Sequence, residues 1–343
     1  MRKGFSPLPI KDGLNPTRVR VPAGPITAWA FLEEVITAQR HRSPLDDAAA
    51  LQARFDNNEV VLRDQTVLRP ETLLSTDTDV FFYRMPAPET PVPYDIPIIY
   101  EDEHLLVVDK PPFMATMPRA KHIVQTATVQ MRRKTGIDEL TPAHRLDRLT
   151  SGILVFTKTK DVRGAYQTLF AERRVQKTYE AIAPLSDVAA GTVWESRIEK
   201  TPGEIQGRIV DGPVNAITIL ADVTAVDNTG YENIHGKQPP LARYTLKPKT
   251  GKTHQLRLHM WQAGVPILGD PVYPVIYPAD AENMRVPMHL RTSIPSNFSP
   301  GKLRASTNSS FTQPTKPKRN KNSRPAFQTF KSRASPTLKC SAH

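Results

Sequence analysis

The chain of 343 residues is long enough to bury a full-sized core, while its 33 prolines predict that part of it stays unpacked. Its single cysteine, Cys340, excludes a disulfide framework or a cysteine-based metal site in the body. The formal charge of +12 invites a nucleic-acid reading, but residues 1–290 hold 35 Lys/Arg against 34 Asp/Glu and the excess lies from Arg291 onward, so bulk charge says little about the folded body.

In chain order, residues 1–20 are polar and Pro-punctuated and are predicted to be extended. Over 27–41, Ala28, Phe31, Leu32, Val35 and Ile36 recur at helical spacing, and a shorter helix is predicted near 45–54. Three β-like runs follow, Val60-Val61-Leu62, Thr66-Val67-Leu68 and Val80-Phe81-Phe82-Tyr83. Residues 1–85 therefore read as a small α+β module. It resembles a degenerate S4-type RNA-binding module without that module's basic helix surface; a structural cap accounts for it equally well. Residues 86–95 carry four prolines and read as a linker.

The main domain is expected over 96–290. Ile98-Ile99-Tyr100, Leu105-Leu106-Val107-Val108 and Ile153-Leu154-Val155-Phe156 read as strands, and Asp161 to Arg173 as a helix. Thr178 to Ala183 and Ala242 to Lys247 are further strands, and Lys249-Thr250-Gly251-Lys252 turns the chain into a helix from Thr253 to Ala263. Strands dominate with helices interspersed, so the class is α+β with a mostly antiparallel mixed sheet and flanking helices. Residues 291–343, rich in Ser, Thr, Pro, Lys and Asn, read as a basic disordered tail. The start lacks the apolar core of a signal peptide and no apolar run nears the roughly 18 residues of a membrane span, which predicts a cytoplasmic protein.

Three stretches carry chemistry. His144-Arg145-Leu146-Asp147-Arg148-Leu149-Thr150-Ser151-Gly152 sets a carboxylate among cations directly before a buried strand, where a loop can hold it rigidly toward a cleft. On spacing alone, a surface ion-pair cluster explains it as well. Arg173-Arg174-Val175-Gln176-Lys177-Thr178-Tyr179-Glu180-Ala181 leads from a basic helix end into a strand; its cations suit a helix C-terminus or phosphates, and Tyr179 is either a stacking platform or a core tyrosine. In Gly251-Lys252-Thr253-His254-Gln255-Leu256-Arg257-Leu258-His259, the histidines stand five apart, the wrong spacing for two ligands on one helical face. Arg257, among apolar residues, needs a carboxylate, for which Asp147 is a candidate.

Together these stretches resemble the RluA family of pseudouridine synthases over roughly residues 96–290. Leu105-Leu106-Val107-Val108-Asp109-Lys110-Pro111 looks like its first motif, and the stretches at 144–152, 177–181 and 251–259 look like the following ones. The last continues into Gly264-Val265-Pro266-Ile267-Leu268-Gly269-Asp270-Pro271-Val272-Tyr273. The resemblance implies the pseudouridine synthase catalytic fold and isomerisation of a uridine in structured RNA, ribosomal ahead of transfer RNA. Asp147 would be the catalytic aspartate, Tyr179 the tyrosine against the target base and a helper in removing the C5 proton, and Arg257 the arginine paired with Asp147. Arg145 would stand where the displaced base was; His144, Lys177, Lys252 and Leu256 would contact RNA. No cofactor, metal or membrane is implied, RNA is the partner, and a monomer is expected.

Two departures stand out. Lys252 replaces a usual arginine, losing a bidentate fork, and Met288-His289-Leu290 looks like the start of the family's last core strand, after which the basic tail begins. A non-catalytic RNA-binding protein is the competing reading; it has no need to keep Asp147, Tyr179 and Arg257 together.

Overall fold

The computed structural model describes residues 6–277 and 283–292. The N-terminal module holds β1 (Thr17–Arg20), β2 (Ile26–Thr27), α1 (Ala28–Thr37), α2 (Ala48–Asp56), β3 (Val61–Leu62), β4 (Leu73–Leu74) and β5 (Asp79–Phe82). Thr27 and Asp47 cap the two helices by accepting from the amides of Ala30 and Ala50. The first helix is shorter than its apolar periodicity suggests: residues beyond Thr37 turn away instead. A three-stranded sheet, β1-β5-β3, and the pair β2-β4 close over a core that includes Phe31, Leu32, Leu51, Phe55 and Phe82.

The segment after this module is held in place. Arg42 and Pro86 form an isolated antiparallel bridge, and the Glu89 carboxylate accepts the amides of Ile123, Val124 and Gln125 at 2.9, 2.6 and 3.1 Å.

The rest of the chain forms β6 (Ile98–Glu101), β7 (Leu105–Lys110), α3 (Ala127–Thr135), β8 (Thr141–Pro142), β9 (Ser151–Thr157), α4 (Lys160–Ala171) and β10 (Tyr179–Pro184). There follow β11 (Val193–Glu199), β12 (Arg208–Val210), β13 (Ala216–Val226), α5 (Thr229–His235), β14 (Leu241–Pro248), α6 (Gln255–Gln262) and β15 (Leu290–Thr292). One ten-stranded sheet runs β12-β11-β13-β14-β10-β15-β9-β7-β6, with β8 paired to β9. Every pairing is antiparallel except β15 with β9, so the class is α+β with a mostly antiparallel mixed sheet and flanking helices.

The expected boundary of the last strand needs correction. Instead of stopping at Leu290, β15 includes Arg291 and Thr292 and sits between β10 and β9. Gly152 makes room for it: at φ +106°, a Cβ there would lie 2.7 Å from the Thr292 amide nitrogen and closer still to its carbonyl oxygen. The tail expected beyond this point lies outside the described residues. Among the described residues, no helix is long and apolar enough to cross a membrane.

Candidate active site

The stretch 141–150 is shaped by the edge of β9. Thr141 and Pro142 pair with Thr157 and Phe156, and the Ala143 amide donates to the Val155 carbonyl. One residue on, the ladder partner becomes a side chain: the Val155 amide donates to His144 Nε2 at 3.3 Å. The chain then leaves the sheet. The Thr116 hydroxyl grips Leu146 on both sides, accepting from its amide at 3.0 Å and donating to its carbonyl at 2.8 Å. The Thr150 amide closes a turn onto the Asp147 carbonyl at 3.1 Å.

Below this turn lies Lys110, fully buried at the end of β7. Its Nζ donates to the carbonyls of Pro111, Met114 and Arg148 at 2.8, 2.8 and 3.3 Å. Three acceptors match the three hydrogens of an ammonium. Burial pulls this lysine down to about 7, and the negative charge of Asp147 opposes the shift.

Asp147 faces a cleft of about 750 Å³. All eight residues singled out from the sequence line it: Asp147, Tyr179, Arg257, Arg145, His144, Lys177, Lys252 and Leu256. They come from the β8–β9 connection, from β10 and the segment before it, and from the N-terminal end of α6. Among the described residues its charged lining is one carboxylate, Asp147, against five Lys/Arg. Arg145 and Lys252 are exposed at its mouth, whereas Leu256 is mostly core.

The structure corrects one expectation. Arg257 does not form its ion pair with Asp147. Its Nε and Nη2 donate to the two carboxylate oxygens of Asp270 at 2.7 and 2.6 Å, in a fork–fork pair with both side chains nearly inaccessible. Thirteen residues along, Asp270 is fixed by the amides of Val272 and Tyr273, so it presents both oxygens to the guanidinium. Burial works against the Arg257 charge, but Asp270 leaves its pKa raised, and Asp147 adds to that through space.

Tyr179 is both things the sequence allowed. It packs against two core clusters and lines the cleft. Burial, then the neighbouring Asp147 charge, pushes its phenol upward, so it is held neutral. A neutral phenol can stack and donate a hydrogen bond.

His144 lines the cleft and is also held by the fold. Besides capping the Val155 amide, its ring stacks on Phe170 with centroids 4.4 Å apart, and Lys177 lies 5.3 Å above the other aromatic centroid, that of Phe170. Burial, then Lys177, pushes His144 down to about 3, which keeps it a neutral acceptor. Phe170 itself lines the cleft and was not singled out, because one aromatic residue on an amphipathic helix carries no distinguishing signal.

The α6 end is organised by Gln255. Its Oε1 accepts from the Thr250 hydroxyl and the Lys252 amide, while Nε2 donates to the Ile217 carbonyl and the Thr218 hydroxyl. His254, at φ +59°, turns its Nδ1 to the Tyr273 hydroxyl at 2.9 Å. Lys110, Thr116 and Asp270 are the positioning residues that sequence reasoning missed. Lys110 and Asp270 stood inside recognised motifs, but only a fold shows that each is buried against polar partners. Among the described residues, no group of three or more His, Cys, Asp or Glu is placed to hold a metal ion.

Residues 104–262 match the family model described as RNA pseudouridylate synthase. Among curated proteins, the chain is similar to the dual-specificity RNA pseudouridine synthase RluA of Haemophilus influenzae, with 36% identity over 186 residues, 53% of this chain and 78% of that protein. It is also similar to tRNA pseudouridine synthase C of Vibrio parahaemolyticus, with 34% identity over 190 residues, 52% of this chain and 73% of that protein. Among solved structures, human RNA pseudouridylate synthase domain containing 1 aligns with a TM-score of 0.43 and 24% identity, over 58% of this chain and 77% of that one. An α+β sheet whose central turn aims one carboxylate into a cationic cleft, joined to the family-model match and the curated relatives, defines an RNA-modifying isomerase. The chain belongs to the RluA family of pseudouridine synthases, the enzymes that isomerise uridine in RNA to pseudouridine.

Proposed function

We propose that Asp147 is the catalytic carboxylate of this isomerisation, with Tyr179 against the uracil and the target uridine in ribosomal RNA ahead of transfer RNA. The observation that carries this reading is the placement of Asp147 as the only carboxylate, among the described residues, lining a cleft that also gathers Tyr179, Arg257 and the exposed Arg145 and Lys252.

The reaction breaks the C1′–N1 bond, turns the uracil and rejoins it through C5. These atoms are inaccessible in a stacked helix, so the nucleotide is flipped into the cleft. Asp147 either attacks C1′ or takes the 2′ proton; both roles need an ionised oxygen held still. Support for this comes from the backbone bonds to Leu146, Asp147 and Arg148 on either side of it. Tyr179 stacks on the base and offers its neutral hydroxyl as a donor. Arg257 contributes positive charge at the back of the cleft while Asp270 holds it in place. Arg145 fills the space that the flipped base leaves, and Lys177 and Lys252 meet phosphates.

The test is a pseudouridine map of ribosomal and transfer RNA in cells lacking the protein. At least one ribosomal site is expected to revert to uridine, and to be restored by the wild-type chain but not by Asp147→Ala. Restoration by D147A would remove Asp147 from the catalytic role.

A further inference from the structure

A second cavity, of about 970 Å³, lies between the N-terminal module and the catalytic domain. Its walls come from three places: the turn after α1 (Arg40, Arg42), the segment after β5 (Arg84), and a tight turn between β7 and α3 (Arg119, Lys121). That turn is pinned by reciprocal backbone bonds between Arg119 and His122, at 2.8 and 3.0 Å. All five cationic side chains are exposed.

The charge in this groove is unbalanced. Among the described residues the groove is lined by one carboxylate, Glu89, which turns its oxygens toward the three backbone amides of 123–125. Nearby Asp46 is buried against Arg54 at 2.7 Å, and the Arg42 guanidinium donates only to the Asp46 carbonyl. Among the described residues, Arg40, Arg84 and Arg119 have no ion-pair partner. Elsewhere many surface cations are matched: Arg18, Arg20 and Arg63 share Asp79, Lys160 and Arg163 share Glu139, and Lys134 holds Asp95, while Arg69, Lys237, Lys247 and Lys249 stand singly among the described residues. In a body that is nearly neutral overall, three of the unmatched cations thus gather on the walls of this one groove.

The two cavities adjoin. Phe113 and Pro118 line the groove while Met117, between them in sequence, lines the cleft. Lys200, whose pKa is lowered first by burial, also feels both Arg119 and Asp147. Among the described residues, the one Phe, Tyr or Trp lining the groove, Phe113, is buried. The groove's chemistry suits the sugar–phosphate backbone, which positions a strand without reading bases.

We propose that this groove holds the phosphate backbone of the RNA strand flanking the uridine that enters the catalytic cleft. The inference rests on the RNA-isomerase reading for its ligand. A strand leaving the cleft past Met117 meets Arg119, then Arg84 and Arg40, so the N-terminal module helps position the substrate.

Binding of a 20-residue and a 5-residue oligouridylate to the full-length protein tests this, by fluorescence anisotropy across a salt series. The triple variant R40Q/R84Q/R119Q alters only exposed side chains. It is expected to lose about 10- to 100-fold in affinity for the 20-mer, with the log–log salt slope shallower by about 2. Its affinity for the 5-mer, which fills the cleft alone, is expected to stay at the wild-type value and so reports an intact fold. A 4-thiouridine 20-mer is expected to cross-link to peptides spanning 38–42 and 118–122 in the wild type. Wild-type affinity and salt slope in the variant would overturn the proposal, as would cross-links confined to residues after Thr292. If the pseudouridine map shows no lost site, the functional reading fails separately, since oligouridylate binding does not depend on turnover.

Discussion

The Lys110 ammonium donates to the carbonyl oxygen of Arg148, the residue directly after Asp147, at 3.3 Å. Through its two other bonds, to Pro111 and Met114, the same nitrogen ties the end of β7 to the turn that carries the carboxylate. Replacing it by methionine keeps the volume but leaves three buried acceptors unmatched. K110M is expected to cost about 3 kcal/mol of stability. It should also lower kcat more than it raises KM, because the position of Asp147 is disturbed while the cationic lining stays. Urea unfolding and steady-state isomerisation below the variant's melting range check both. Unchanged kcat in a folded K110M protein would show that the turn holds itself.

The buried pair of Arg257 and Asp270 makes a different demand. Removing one partner strands a charge, so D270N is expected to cost about 3–5 kcal/mol. R257K keeps the charge but loses the fork, and should fall between wild type and D270N. The double variant R257M/D270L leaves no stranded charge and is expected to be more stable than D270N alone. Its activity should nonetheless remain low, because the cleft has lost its rear cation. A double-mutant cycle on unfolding free energies, with isomerisation rates beside it, separates the two effects.

These residues also show where sequence reading stopped. Asp147, Tyr179 and Arg257 were legible, and they share the cleft, because each stands in a stretch whose residue types are hard to explain otherwise. The partner of Arg257 was not legible, since a carboxylate thirteen residues on and one a hundred residues back look alike in a string. Strands with apolar runs, such as β7 and β9, announced themselves. β13 did not: its buried face is Ala216, Thr218 and Leu220, while the more apolar-looking Ile217 and Ile219 lie on the less buried face, and the register shifts after Leu220. Thr218 is buried because it serves Gln255 and His259, a tertiary requirement that periodicity does not encode. Helix α3 was hidden in the same way, its Arg132 lying inward to bond the carbonyls of Leu140 and Gly13.

Acid should loosen the catalytic domain before carboxylates titrate. His259 is buried with its ring nitrogens on the Ser196 and Thr218 hydroxyls, and burial pushes it down to about 4 from an ordinary 6.5. A histidine depressed on folding contributes stability that is fully present above pH 6.5 and is lost as pH falls through 4, since the unfolded chain takes up the proton first. His289, facing His235 at 2.9 Å, is also pushed down to about 4, first by burial and then by that neighbour. His259 alone accounts for about 3 kcal/mol across this window. Unfolding free energies at pH 7 and pH 4 are expected to differ less in H259L than in wild type. An equal difference in both proteins would mean that another group carries the acid response.

Gly152 decides whether the last described strand can be in the sheet at all. β15 is three residues long and reaches the middle of a ten-stranded sheet, where it must fit between β10 and β9. It does so only because no Cβ stands at 152, where one would strike the backbone of Thr292. Alanine there must also hold a φ of +106°, which side chains with a Cβ rarely adopt. G152A is therefore expected to destabilise the domain by about 3 kcal/mol. The damage should be local to this seam: Arg291, which donates to Asp109 at 3.0 Å, would be released and become open to trypsin. The cleft should suffer too, because Leu290 lines it and Ala181, the partner of Leu290, lies two residues beyond Tyr179 on β10. Limited proteolysis followed by mass spectrometry reads the cleavage after Arg291 directly. If G152A is cut there no faster than wild type and isomerises normally, β15 is held by something other than the gap that Gly152 leaves.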